Sequence, residues 1–172
     1  MALLNLPERD VDNAELQIMF GHIEKAFGEL TDNFRMGAIS PHMLKQLLER
    51  GAYLFKESGI NPTVFPAIRY RVACDVNGDF CIKFNSKVLM NAGFTDEDLK
   101  AVETGGNAAP LSEADNALVD LSAKAVVTPD EYSAADVERL KGYGYSERQI
   151  LDAAEHASNL LRIARLLKAF KI

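Results

Sequence analysis

Apolar residues recur at helical spacing along almost the whole chain, and helix-capping signals punctuate the runs. The first run, residues 10–30, carries Val11, Leu16, Met19, Phe20, Ile23, Ala26 and Phe27 at helical spacing. Residues 31–40 read as a connection. Ser40-Pro41 then supplies an N-cap followed by proline at the first helical position, and Leu44, Leu47, Leu48, Ala52 and Leu54 or Phe55 form the stripe of a second helix that Ser58-Gly59 closes. Asn61-Pro62 restarts the chain, with Pro66 placing the start of regular helix near residues 64–66.

The stretch 69–93 reads as the end of that helix, a tight break at Asn77-Gly78, and a further helix from about Asp79 to Gly93. Thr95-Asp96-Glu97-Asp98 opens the next one, with Thr95 as N-cap and acids in the first turn. Residues 103–110, ETGGNAAP, read as a mobile loop. A helix from Ser112 to about residue 125 follows, then a break at Thr128-Pro129-Asp130 and a short helix from Ser133 to Gly142 or Gly144. Ser146-Glu147-Arg148-Gln149 is a capping box, and it starts the longest helix, which runs to about Phe170. No stretch alternates as a strand does. The pattern predicts an all-α domain of about seven or eight helices, with N-terminal helices over 10–58 and one domain spanning 1–172.

Composition narrows the class. A chain of 172 residues with 48% hydrophobic and 26% charged residues is ordinary for a globular domain able to bury a substantial core. A net charge of -6 gives no basic field for nucleic acid. No apolar run approaches the length that spans a bilayer, and the first residues lack a basic region followed by an apolar stretch. The expectation is a cytoplasmic protein with neither a nucleic-acid nor a membrane partner.

The chemistry concentrates at 69–93, which holds both cysteines, Cys74 and Cys81. Cys81 falls in the first turn of its helix, where a thiolate meets the positive end of the helix dipole. Cys74 falls on the preceding arm, and its plain reading is a core thiol, a reading that stands beside the activated one for Cys81 too. Seven positions on an unbroken helix separate Cα atoms by roughly 10 Å, beyond the ~7 Å limit for a disulfide, so pairing requires a sharp fold-back. Arg71 and Lys83 favour a thiolate, and Asp75 and Asp79 oppose it.

Other candidates are weaker. Asp75, Asn77 and Asp79 alternate like the opening of a calcium loop, but Phe80 stands where glycine is needed and Ser86 where glutamate is needed. His22, His42 and His156 lack metal-ligand spacing. His156, inside the apolar stripe of the last helix near Asn159, reads as a hydrogen-bonded core or flank residue. Phosphate-binding glycine loops, nucleophile elbows and paired-cysteine zinc motifs are absent from the sequence.

The run IRYRVACDVNGDFCIKFNSKVLMNAGFTDEDL resembles the core of the carboxymuconolactone decarboxylase and alkylhydroperoxidase D-like superfamily. The later stretches LSEADNALVDLSAKAV and GYGYSERQILDAAEHASNLLRIARLL mirror its closing helices, so the resemblance covers about 61–167. It implies an all-helical alkylhydroperoxidase D-like fold and assembly as a trimer or hexamer; from the absent motifs, no cofactor or metal is expected. In peroxidase members a CxxC pair reduces a hydroperoxide while a histidine and an upstream glutamate relay protons. Here the second cysteine falls on Cys81, the first on Gly78 and the histidine on Asn85; the glutamate region reads FPAIR.

Two functional expectations follow from the resemblance. In one, the chain is a thiol-dependent peroxidase in which Cys81 reacts with the hydroperoxide and Cys74, or an outside thiol reductant, resolves the product. In the other it is a non-catalytic helical oligomer that binds a small molecule or a protein partner. A decarboxylase is within the superfamily's range but finds no supporting residue here.

Overall fold

The computed structural model describes residues 2–172, and among them every regular element is helical. Nine α-helices run in order: α1 Ala14–Phe27, α2 Asp32–Ala38, α3 Pro41–Lys56, α4 Val64–Asp75, α5 Asp79–Asn91, α6 Asp96–Thr104, α7 Glu113–Val127, α8 Ala134–Gly142 and α9 Glu147–Phe170. A single 3-10 turn, Pro129–Glu131, precedes α8. The all-α expectation holds, with more helices than the seven or eight expected. The additional helix is α2, inside the stretch read as a connection: Thr31 stands at its N-cap and Asp32 in its first turn, and Phe34 and Ala38 are buried. Seven residues with only two buried apolar positions are too short to display a period.

The chain divides into two compact units. One comprises the residues up to Tyr53 together with Leu166–Ile172. Its core joins Leu16, Met19, Phe20 and Ile23 of α1 to Phe34 and Ala38 of α2 and Leu44 of α3. The N–H of Leu3 donates to the Phe170 carbonyl at 2.9 Å, tying the two ends of this unit together.

The other unit, Leu54–Arg165, is built around α4. Val64, Phe65, Ala67, Ile68, Val72 and Ala73 of that helix are wholly buried, so it is apolar on nearly every side. It packs on α5, α6 and α7. Each buried Val, Ile or Phe side chain contributes about 1.5–3 kcal/mol relative to exposure, so the burial of α4 stabilises this unit substantially.

The break between α4 and α5 is a complete Schellman turn. The Asn77 N–H donates to the Cys74 carbonyl at 3.3 Å and the Gly78 N–H to the Ala73 carbonyl at 2.9 Å. Asn77 takes the left-handed conformation this requires, with φ 52°, a position where asparagine is tolerated better than most side chains. The chain turns at once into α5, as the Asn77-Gly78 signal predicts.

The segment after α6 differs from its sequence reading. Residues 103 and 104 complete α6, and the bend beyond it is held from two sides. Asn116 of α7 accepts from the Ala108 N–H and donates to the carbonyls of Ala108, Leu111 and Ser112. Asp98 of α6 accepts from the Ala109 N–H at 2.7 Å while its other oxygen closes the capping box with Thr95. Ala108 is buried. A loop that reads as mobile is pinned by two side chains lying outside it.

Candidate active site around Cys81

Cys81 occupies the third position of α5, one turn past Gly78, and is 3% exposed. Three polar side chains from three helices gather beside it. Asn85, one turn further along α5, donates from Nδ2 to the Cys81 carbonyl at 2.8 Å. Its Oδ1 accepts from Nε of Arg69, on α4, at 2.7 Å. Nη1 of Arg69 lies 3.2 Å from Nε2 of His156, on α9.

The chemistry of these groups fixes their states. A guanidinium only donates, so His156 Nε2 is the acceptor and the ring carries its proton on Nδ1. The ring meets Phe65 edge-on, with centroids 5.2 Å apart, and His156 is itself buried. Asn85 is spent on both of its ends, on Arg69 and on the Cys81 carbonyl. Arg69 is therefore held by two neutral acceptors, and the group beside it able to become an anion is Cys81.

Burial and the guanidinium pull Cys81 in opposite directions, and burial prevails. It pushes the Cys81 thiol up to about 11, with the Arg69 charge opposing. The same desolvation brings Arg69 down to about 10, with Cys81 favouring its charged form. The helix-terminus position alone predicts an activated thiolate; in the resting protein the loss of water around the sulfur outweighs that gain. Cys81 is a protonated thiol near neutral pH.

Cys74 lies in a different setting. Arg69 and Cys74 are five residues apart on α4, roughly 140° around the helix, so they look out from separate faces. Cys74 is half-buried, and burial raises its thiol while the Tyr70 hydroxyl, its hydrogen-bond partner, lowers it; Glu103 and Asp75 raise it further. Arg71 on this side bonds Asp75 and the Glu103 carbonyl and approaches Asp120 at 3.6 Å. The two cysteines are both free thiols, each answering to its own set of neighbours.

Sequence reasoning found Cys81 and Asn85 but gave no part to Arg69 or His156. Each does leave a trace: one arginine facing into a helix whose neighbours are buried, and one histidine within the apolar stripe of α9. Their juxtaposition spans 87 positions, which no local pattern reveals. Among the described residues, no group of three or more His, Cys, Asp or Glu side chains has a metal-binding arrangement, and no helix is long and apolar enough to cross a membrane.

No protein-family profile matches the chain, and no curated protein matches it. Solved structures do. An uncharacterised peroxidase-related protein from Silicibacter sp. TM1040 superposes with a TM-score of 0.82 at 20% identity, over 99% of this chain and 90% of that one. An uncharacterised peroxidase-related protein from Ralstonia eutropha JMP134, described as an alkylhydroperoxidase AhpD core, gives 0.82 at 16% identity over the same shares. A cysteine-to-alanine variant of the debrominase Bmp8, in complex with 2,3,4-tribromopyrrole, gives 0.75 at 16% identity, over 99% of this chain and 92% of that one. At such identities the likeness speaks for the fold. The chain has the alkylhydroperoxidase D-like fold, as its motif order implied, and the likeness takes in the N-terminal helices as well.

Proposed function

We propose that the protein is a divergent thiol-dependent peroxidase of the alkylhydroperoxidase D-like kind, with Cys81 as the reacting group. The observation that carries the reading is the guanidinium of Arg69 beside Cys81, hydrogen-bonded among the described residues to the neutral Asn85 and His156. A partly buried cation with neutral partners gains most from an anion next to it, and loss of the Cys81 proton creates one.

The reaction is written as follows. The thiolate sulfur of Cys81 attacks the terminal, hydrogen-bearing oxygen of a hydroperoxide, an S–O bond forms, and the O–O bond breaks. The departing alkoxide takes up a proton and leaves as an alcohol, and Cys81 becomes a sulfenic acid, oxidised by two electrons. The charge that moves from sulfur to the alkoxide stays within reach of Arg69 throughout. An outside thiol then condenses with the sulfenic acid, releasing water and forming a mixed disulfide, and a second thiol reduces that disulfide. The separate settings of the two cysteines favour an outside reductant over Cys74 in this step.

A non-catalytic protein of the same fold is the second reading, and the high pKa of the Cys81 thiol is what favours it. Mass spectrometry after stoichiometric peroxide separates the two. Oxidation confined to Cys81, lost in Cys81→Ser, with peroxide turnover on addition of a dithiol, is the expected result. Wild-type protein whose Cys81 stays reduced would sink the peroxidase.

A further inference from the structure

We infer that the Arg69 guanidinium is an anion-binding subsite beside Cys81, and that the substrate it selects carries a carboxylate. The inference rests on the reading of Cys81 as the reacting thiol and adds the class of molecule that reaches it.

The argument starts from the donors of Arg69. A guanidinium offers five N–H groups. Nε is used by Asn85 and one N–H of Nη1 by His156, and both acceptors are uncharged. Nη2 has no protein acceptor among the described residues, although Arg69 as a whole keeps part of its surface open. The other arginine of α4, Arg71, differs at its terminal nitrogens, although its buried Nε meets no acceptor among the described residues. It is tied to Asp75 and to the Glu103 carbonyl, with Asp120 close by, and each of its two terminal nitrogens meets an acceptor or a carboxylate.

Asn85 and His156, both buried, hold the Arg69 fork from α5 and α9, so its direction is set before a ligand arrives. A carboxylate matches the pair of parallel N–H groups on a guanidinium edge, and a fixed fork loses little entropy on binding it. Desolvation strengthens the attraction. Around Cys74 the charges are mixed, since Glu103 and Asp75 oppose a thiolate there while Arg71 favours one. The two cysteines therefore act as contrasting probes within one molecule.

Alkylation of the intact protein with iodoacetate and with iodoacetamide, which differ by one negative charge, tests the site without any peroxide. The ratio of iodoacetate to iodoacetamide rate is read at each cysteine by mass spectrometry. Electrostatic attraction of this kind raises on-rates by about 10-fold or more, so the ratio at Cys81 is expected to exceed that at Cys74 by about tenfold. Arg69→Gln should bring the two ratios together, and Arg69→Lys, which keeps the charge, should retain most of the difference.

Equal ratios in wild type overturn the proposal, and so does a Cys81 that neither reagent reaches while Cys74 labels. Peroxides supply the second arm. A fatty-acid hydroperoxide should oxidise Cys81 faster than its methyl ester. Equal rates with the two would overturn the carboxylate preference while leaving the peroxidase reading standing; no oxidation by either, with the alkylation difference intact, would do the reverse.

Discussion

At Gly78 a side chain is missing from a place that is ready for one. A Cβ built there would lie 3.7 Å from the Cβ of Cys81 and 3.5 Å from that of Ala164, both ordinary contacts. Disulfides join Cβ atoms about 3.5–4.5 Å apart, so the spacing across this first turn of α5 suits one. The backbone is permissive too, with φ of -91°. Gly78→Cys is therefore expected to fold and, under mild oxidation, to form a disulfide with Cys81, read as a loss of two hydrogens in the intact mass and of thiol labelling at position 81. Labelled thiols at both positions 78 and 81 after oxidation would show that the turn does not present its side chains that way. Cys74 does not stand in for this partner, because it belongs to the neighbours of Tyr70 and Glu103 on another face of α4. What the molecule keeps at Cys81 is one thiol, a guanidinium, and a histidine contributed from a distant helix.

Among the elements, the bend between α6 and α7 shows how a few side chains order a segment that looks loose. Asn116, 6% exposed, meets four backbone groups with its amide. Asn116→Ala takes the printed partner from the Ala108 N–H and the Leu111 carbonyl, whereas the carbonyls of Ala108 and Ser112 keep the N–H groups of Leu111 and residue 116; each buried group left unpaired costs about 1–3 kcal/mol before water compensates. We expect a net destabilisation of about 2–4 kcal/mol in urea unfolding, with proteolysis appearing first near Gly106. A variant as stable and as resistant as wild type would mean that the bend holds itself. The same bend marks the boundary of what the chain shows in one dimension. Caps at Thr95, Ser112, Ser133 and Ser146 are legible because their signals are complete within four residues. The order of residues 106–111 is invisible because Asp98 and Asn116 supply it from outside. Cys81 belongs to the first class, and the Arg69–His156 contact to the second. Leu151, an apolar residue of α9, is 68% exposed, since a period fixes a face only to within its flanks.

For the whole molecule the likeness of fold is wide while the identity is slight: 99% of the chain superposes on proteins that share 16–20% of its residues. The backbone arrangement therefore survives extensive replacement of side chains, as cores that keep their volume and pattern do. Chemistry is less tolerant, since it depends on single groups such as Cys81 and Arg69. Assembly lies between these extremes, because an interface needs a patch of compatible side chains over many positions. Ile18 at 61%, Met90 at 49% and Leu151 at 68% are large apolar residues left in contact with solvent. Scattered residues of this kind are common on monomers, so they permit an interface without requiring one. The expectation of a trimer or hexamer comes from the resemblance, and sedimentation at micromolar concentration decides it: a mass three or six times 19.0 kDa is the expected result. A monomer would remove assembly from the picture, and every group the Cys81 site uses would then have to come from one chain, as Arg69, Asn85 and His156 do.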